Sequence, residues 1–252
     1  MNIGIIGGNG FLGKEIANGL RKDNEIDIIT KDCYVENSIE YDVLINANGN
    51  SKKYLANNNP LYDFDKSVVS VFDSIQYFNF KKYIYISSAD VYGHPVDPIH
   101  SDENGKLSEH YMDSYGFHKY LSELIVKKYC ADYLILRCSA LIGKNMKKGV
   151  IKDIIDCDVL RINTNSKMQF ITNTEVSKII QKLLEITVCC KIYNVGGIGK
   201  ICIKDYWSLC GENSPIQDYE MNVNRLKNIY PNLKPSEYYV KELLNERVEK
   251  SL

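Results

Sequence analysis

The stretch NIGIIGGNGFLGKEIANGL, residues 2–20, constrains the fold more than any other part of the chain. Residues 2–6 are a short apolar run of the kind that forms a buried strand, and Leu12, Ile16 and Leu20 then recur at helical spacing. Between the two runs stand Gly7, Gly8, Gly10 and Gly13, which satisfy both G-x-G-x-x-G (8, 10, 13) and G-x-x-G-x-x-G (7, 10, 13). Either spacing has the same consequence. The backbone turns tightly, a pyrophosphate can approach it, and the phosphates rest on amides at the start of the helix. Strand, glycine turn and helix in this order predict a doubly wound, Rossmann-type parallel sheet. A dinucleotide is expected to lie over Gly7, Asn9, Gly10, Phe11 and Leu12, with Gly13 letting the helix close onto the strand.

A second strand is predicted over residues 25–30, and its end should meet the adenosine ribose. An acid there favours NAD by accepting from the 2′-hydroxyl, and a base favours NADP by meeting the 2′-phosphate. The sequence reads Thr30, Lys31, Asp32, so Lys31 leans toward NADP(H), with a solvated loop lysine as the alternative. About ten residues separate this strand from the next, DVLINANGN (42–50), too few for a helical crossover and a further strand. The cofactor half is therefore expected to be trimmed.

At 252 residues the chain suits one domain with an elaborated end. Residues 1–143 read mainly as the cofactor core. Residues 144–252 read as a substrate lobe, with segments at about 170–200 returning to the core. The 31 basic and 32 acidic residues nearly cancel, which argues against nucleic acid or an anionic membrane as partner. No apolar run approaches the ~20 residues that span a bilayer. The opening MNIGIIGG has no basic-then-apolar signal region, and none of the eight cysteines forms C-x-x-C. The expectation is a cytoplasmic protein with reduced thiols and no metal site. The four histidines lack ligand spacing, although His94 and His110 are placed to reach a substrate pocket.

Four Tyr–Lys pairs have a spacing of four: Tyr62–Lys66, Tyr77–Lys81, Tyr115–Lys119 and Tyr230–Lys234. With 19 Tyr and 26 Lys in the chain, about two are expected by chance. Context separates them. Residues 83–87 read as a buried strand that ends at Ser88, and ligands of a parallel sheet sit beyond the carboxyl ends of strands. Tyr77–Lys81 falls at the amino end of that strand, and Tyr230–Lys234 is interrupted by Pro231. Tyr115–Lys119 opens the helix that follows the strand, with Phe117, Leu121, Leu124 and Ile125 as its expected apolar stripe. A phenol ordinarily ionises near ~10. An adjacent ammonium lowers that value, so Tyr115 becomes the candidate proton carrier, Ser88 the holder of a carbonyl oxygen, and Lys119 a contact for the nicotinamide ribose.

The motifs GGNGFLG, LINANG, YISSADVYG, YGFHK, LRCSALIG, MQFITNTEV and IYNVGG follow one another over nearly the whole chain. In that order they resemble the extended short-chain dehydrogenase/reductases, the NAD-dependent epimerase/dehydratase family that works on nucleotide sugars. The resemblance places Ser88, Tyr115 and Lys119 on the catalytic Ser/Thr–Tyr–Lys. It places Gly7, Gly10 and Gly13 on the cofactor turn, and Ala47, Asn48 and Gly49 on the strand end beside the adenosine. Cys138 and Ser139 fall where the chain passes the nicotinamide amide. Ala89 and Asp90, expected at the substrate, stand where 4,6-dehydratases carry Asp-Glu, and the missing carboxyl counts against that reaction. Ala140 stands where the family usually has Asn, and Met168 where it often has Arg. The phosphate grip is therefore expected elsewhere, with Lys144, Lys147 and Lys148 as candidates and a solvated basic loop as the alternative.

Further along, 158–162 reads as a strand, 176–184 as a helix stripe capped by Thr174, 191–197 as a returning strand, and 236–252 as a helix capped at Ser236. The function implied is an NAD(P)-dependent reductase of a keto group on an activated sugar. A redox-neutral epimerase and a non-catalytic nucleotide sensor are the alternatives. The partner implied is a small molecule, and the sequence leaves a homodimer open.

Overall fold

The computed structural model describes residues 1–30, 39–50, 53–93 and 96–248. Lys31 and His94 lie outside them. The chain begins as the glycine pattern requires, with strand β1 (Asn2–Ile6) followed by helix α1 (Phe11–Leu20) and strand β2 (Glu25–Ile29). Strand β3 (Glu40–Asn46) leads to the short helices α2 (Lys53–Asn58) and α3 (Pro60–Phe64). Pro60 occupies the first turn of α3, where its missing N–H costs nothing, and the Asn59 side chain accepts from the Tyr62 amide. A π-helical turn over 65–69 joins α3 to α4 (Ser70–Tyr77). Strand β4 (Asn79–Ser88), helix α5 (Ser114–Tyr129) and strand β5 (Tyr133–Cys138) complete the centre.

The remainder comprises β6 (Ala140–Ile142), α6 (Val150–Ile155), β7 (Lys167–Met168), β8 (Phe170–Thr172), α7 (Asn173–Glu185), β9 (Lys191–Val195), β10 (Ile201–Cys202), α8 (Asn224–Ile229) and α9 (Ser236–Val248). Six strands form one parallel sheet in the order β2-β1-β3-β4-β5-β9. From β1 the chain builds outward to β2, then returns to place β3 on the other side of β1. That reversal opens a crevice at the carboxyl ends of β1 and β3. The side-chain period of two divides β4 between two cores. Ile84 and Ile86 pack with Ile16 of α1 and Ile180 of α7 on one face, and Tyr83 and Tyr85 with Val71 of α4 and Val126 of α5 on the other. Among the described residues no helix is long and apolar enough to cross a membrane.

Several local expectations give way to tertiary context. Residues 158–162 form no strand; Leu160 alone makes an isolated bridge, to Cys210, because no neighbouring strand offers a ladder there. Helix α7 is capped by Thr172, whose hydroxyl accepts from the Glu175 amide at 3.1 Å, while Thr174 lies inside the helix and donates to Glu15. The Ser236 hydroxyl does not cap α9. It is buried, accepts from the Phe170 amide at 3.1 Å and donates to the Gly199 carbonyl at 2.6 Å, which fastens the final helix to β8. The stripe assigned to α5 is split: Leu121 and Ile125 are half-buried, Ile125 against the second core, but the other two members face outward. Phe117 and Leu124 are 37% and 41% exposed, and the buried side carries His118, Lys119, Ser122 and Glu123. Charged and hydrogen-bonding groups occupy the inner face because they meet partners on β4, β5 and α3.

Candidate active site

The crevice is a cleft of about 1070 Å³ that runs across the carboxyl end of the sheet. At one end lies the glycine turn. Gly7 has φ +76°, and a side chain there would also strike the Asn48 amide and the Ala47 carbonyl. Gly13 lies under the turn, where a Cβ would sit 2.2 Å from the Gly7 carbonyl oxygen, so α1 is pressed onto the strand end. Gly10 donates back to the Gly7 carbonyl at 2.9 Å and leaves the start of α1 open to the cleft. Asn9, Phe11, Leu12 and Thr30 line the same end. Beside it, Ala47 donates to the Ile6 carbonyl at 3.0 Å, and the Asn48 side chain donates to Ser70 at 2.8 Å. Free space over a helix start and amides close to the strand end suit a pyrophosphate.

The middle of the cleft holds the three residues singled out for chemistry. Ser88 ends β4. Asp113 caps α5 by accepting from the Gly116 amide at 2.7 Å, and this sets Tyr115 and Lys119 one turn apart along the cleft wall. The Lys119 ammonium donates to the Ile86 carbonyl at 3.0 Å and lies 5.0 Å from the centre of the Tyr85 ring. It also faces Gly49, where a Cβ would come within 3.1 Å of it. Burial lowers Lys119 to about 8; the facing Cys138 sulfur and the carboxylates of Asp63, Glu123 and Asp90 pull it upward. The Tyr115 phenol is pushed above its ordinary value, first by burial and then by the charges of Asp90 and Asp63, while its hydrogen bond with Ser88 acts in the opposite sense. The direction is thus opposite to the lowering expected from Lys119.

A buried network holds this wall in place. Arg137 of β5 makes a two-pronged pair with Glu123 of α5, at 2.9 and 2.7 Å, and Ser87 donates to the same carboxylate at 2.6 Å. Arg137 also donates to the Tyr92 hydroxyl at 2.8 Å, which in turn donates to Asn194 at 2.8 Å. Strands β4, β5 and β9 and helix α5 are thereby tied together directly behind Ser88. On the other flank, His118 Nδ1 lies 2.6 Å from the fully buried Asp63 carboxylate, which links α5 to α3.

Ala89, Asp90, Ala140, Lys148, Met168 and Tyr219 also line the cleft. Cys138 and Ser139 line its floor, and Ser139 Oγ is buried without a hydrogen-bond partner among the described residues. Of the three lysines expected at a phosphate, Lys148 lines this cleft and Lys144 lines a separate hollow with Glu175 and Lys178; Lys147 lines neither. His110 is exposed and outside the cleft. Sequence reasoning passed over Lys53, whose ammonium lies 2.5 Å from Asp90, and Tyr219, whose hydroxyl accepts from the Ala140 amide and donates to the Gln169 carbonyl. Neither belongs to a local motif. Each reaches the cleft through contacts between distant parts of the chain.

A parallel sheet with its glycine turn at the switch point, and Ser, Tyr and Lys on the adjoining wall, defines an α/β protein of the short-chain dehydrogenase/reductase kind. The model of the NAD dependent epimerase/dehydratase family matches residues 34–196, well over half of the chain, and the chain belongs to that family. No curated protein matches it. The fold is shared with a UDP-galactose 4-epimerase, 18% identical over 100% of both chains with a TM-score of 0.79. It is shared also with dTDP-4-dehydrorhamnose reductase from Bacillus anthracis str. Ames in complex with NADP, at 19% identity over 97% of this chain and 98% of that one, TM-score 0.79. UDP-glucuronic acid 4-epimerase from Bacillus cereus, in complex with UDP-glucuronic acid and NAD, aligns at 13% identity over 98% and 99% with a TM-score of 0.77.

Proposed function

We propose that this protein is an NAD(P)-dependent reductase of a keto group on a nucleotide-activated sugar. The observation that carries the reading is the convergence of Ser88, Tyr115 and Lys119 on one wall of a cleft whose far end is the glycine turn. A nicotinamide dinucleotide fits the residues present. The open start of α1 suits its pyrophosphate, the Ala47–Gly49 strand end its adenosine side, and the unpartnered Ser139 hydroxyl its carboxamide. When bound, the nicotinamide supplies hydride to the ketone.

The chain's own residues do the rest. Once a ketone enters, the Ser88 hydroxyl turns from Asp90 to hold the carbonyl oxygen together with the Tyr115 hydroxyl, and Tyr115 delivers the proton there. Lys119 keeps positive charge beneath the phenol and meets the nicotinamide ribose. Asp90, Ala89 and Lys148 border the sugar, and residues 144–252 supply most of the wall that covers it. Lys31 inclines the cofactor choice to NADP(H). A homodimer forms through the outer face of α4 and α5, where Phe72, Leu124 and Tyr129 are exposed and the rings of Phe72 and Tyr129 meet at 5.4 Å.

A redox-neutral epimerase is the second reading, supported by the full-length likeness to 4-epimerases. Both readings use the same three residues. A panel of nucleotide-linked ketosugars, each assayed for NADPH and NADH consumption, tests the proposal. Net cofactor oxidation with formation of the alcohol is the expected result, and isomerisation without net change in cofactor would replace the reductase with the epimerase.

A further inference from the structure

Next to the catalytic trio stands an ion pair that the trio does not need. Asp90 is 1% exposed, and its two oxygens have different partners. Oδ2 accepts from the Ser88 hydroxyl at 2.6 Å, and Oδ1 lies 2.5 Å from the Lys53 ammonium. Lys53 opens α2, its side chain half exposed, with Nζ 5.7 Å from the centre of the Tyr115 ring. The carboxylate is held rigidly. Its backbone carbonyl packs against the first turn of α5, where a Cβ on Gly116 would lie 2.3 Å from it. Asp90 is thus registered to the helix that carries Tyr115.

The two charges act on the phenol in opposite senses. A carboxylate beside a phenol disfavours phenolate, and a cation beside the ring favours it. Hydrogen-bond direction adds to this. A serine hydroxyl has one proton: given to the phenol oxygen it favours phenolate, and held by Asp90 it is withheld from that role. Asp90 therefore favours a protonated Tyr115, whereas Lys53 draws on the same carboxylate and weakens its claim on Ser88.

We propose that Lys53 and Asp90 are a paired set of positioning residues that fix the acid strength of the Tyr115 hydroxyl, Asp90 making it a weaker acid and Lys53 a stronger one. The inference rests on reading Tyr115 as the proton donor. The other charged or titratable groups around the phenol are Lys119 and His118 on α5, Asp113 at its cap, Asp63 on α3, Tyr85 on β4 and Tyr219 across the cleft. They are common to all the variants below, so differences among those variants report on the pair.

A fluorinated tyrosine at position 115, more acidic than tyrosine, brings the phenol into a measurable range and titrates apart from the other tyrosines. Its absorbance against pH would be followed in the parent, Lys53→Met, Asp90→Asn and the double variant, each first checked for a parental thermal melt. Lys53→Met should raise the midpoint by roughly one pH unit and Asp90→Asn should lower it by a similar amount. The double variant should return close to the parent, and Lys53→Arg should match it. Single variants that move the midpoint the same way, or not at all, overturn the inference. This titration needs no substrate, so it stands or falls apart from the proposed reaction, which the ketosugar panel tests.

Discussion

The Lys119 ammonium donates to the carbonyl of Ile86, two residues before Ser88 on β4. This one bond clips the helix carrying Tyr115 to the strand carrying Ser88, and it holds a buried cation against the Tyr85 ring at the carboxyl end of the sheet.

Tyr115→Phe keeps the ring and removes only the hydroxyl, so fold and dinucleotide affinity should persist. Loss of general acid catalysis should lower kcat by about two to four orders of magnitude. Tyr62→Phe and Tyr230→Phe are controls with the same local spacing, outside the cleft; steady-state kinetics should leave them within a small factor of the parent.

Lys119 has its ionisation lowered to about 8 by burial. Its ammonium is present below that value and is lost as pH rises through it. Ketone reduction should therefore decline above about pH 8, well before a surface lysine would titrate. Lys119→Met should remove this limb, leave a low rate with little dependence on pH in that range, and weaken cofactor binding. A kcat/KM profile from pH 6 to roughly pH 10 checks it.

Glu123→Gln leaves Arg137 buried without its counter-charge. Breaking one side of a buried pair costs about 3–5 kcal/mol. Chemical denaturation should show a loss of that size, and activity should fall with it because Ser87 and α5 share the same carboxylate.

Lys31→Ala should weaken NADPH more than NADH, because a base after the second strand meets a 2′-phosphate. Fluorescence titration with both cofactors measures the ratio. An equal effect on both would make Lys31 a surface charge only.

Leu124→Glu should convert the proposed dimer to monomer, since it places charge in the middle of the exposed face of α4 and α5. Sedimentation or light scattering reads the mass directly. A parent that is already monomeric would remove the dimer.

Some of this could be read directly from the chain. The turn at Gly7–Gly13 was legible because positive φ, a close carbonyl and a helix start are demands made within a dozen residues. The two-residue alternation of β4 and its end at Ser88 were legible for the same reason, and so was Tyr115–Lys119 as the pair beyond that strand. The polarity of α5 was legible only in part, at Leu121 and Ile125. Phe117 and Leu124 look like core to any period-based reading, yet they face outward because His118, Lys119 and Glu123 have partners 14 to 55 residues away, on β5, β4 and α3.

Local periodicity reports which residues share a face, and tertiary packing decides which face is buried. The strand order β2-β1-β3, which opens the cleft, and the meeting of Lys53, Asp90 and Tyr219 around Tyr115 belong to that second kind. Backbone conformation and side-chain period are properties of neighbours in sequence, and the amino-acid order determined them by itself. A buried charge is tolerable only where its counter-charge arrives, and that depends on strands and helices far apart in the chain being brought together.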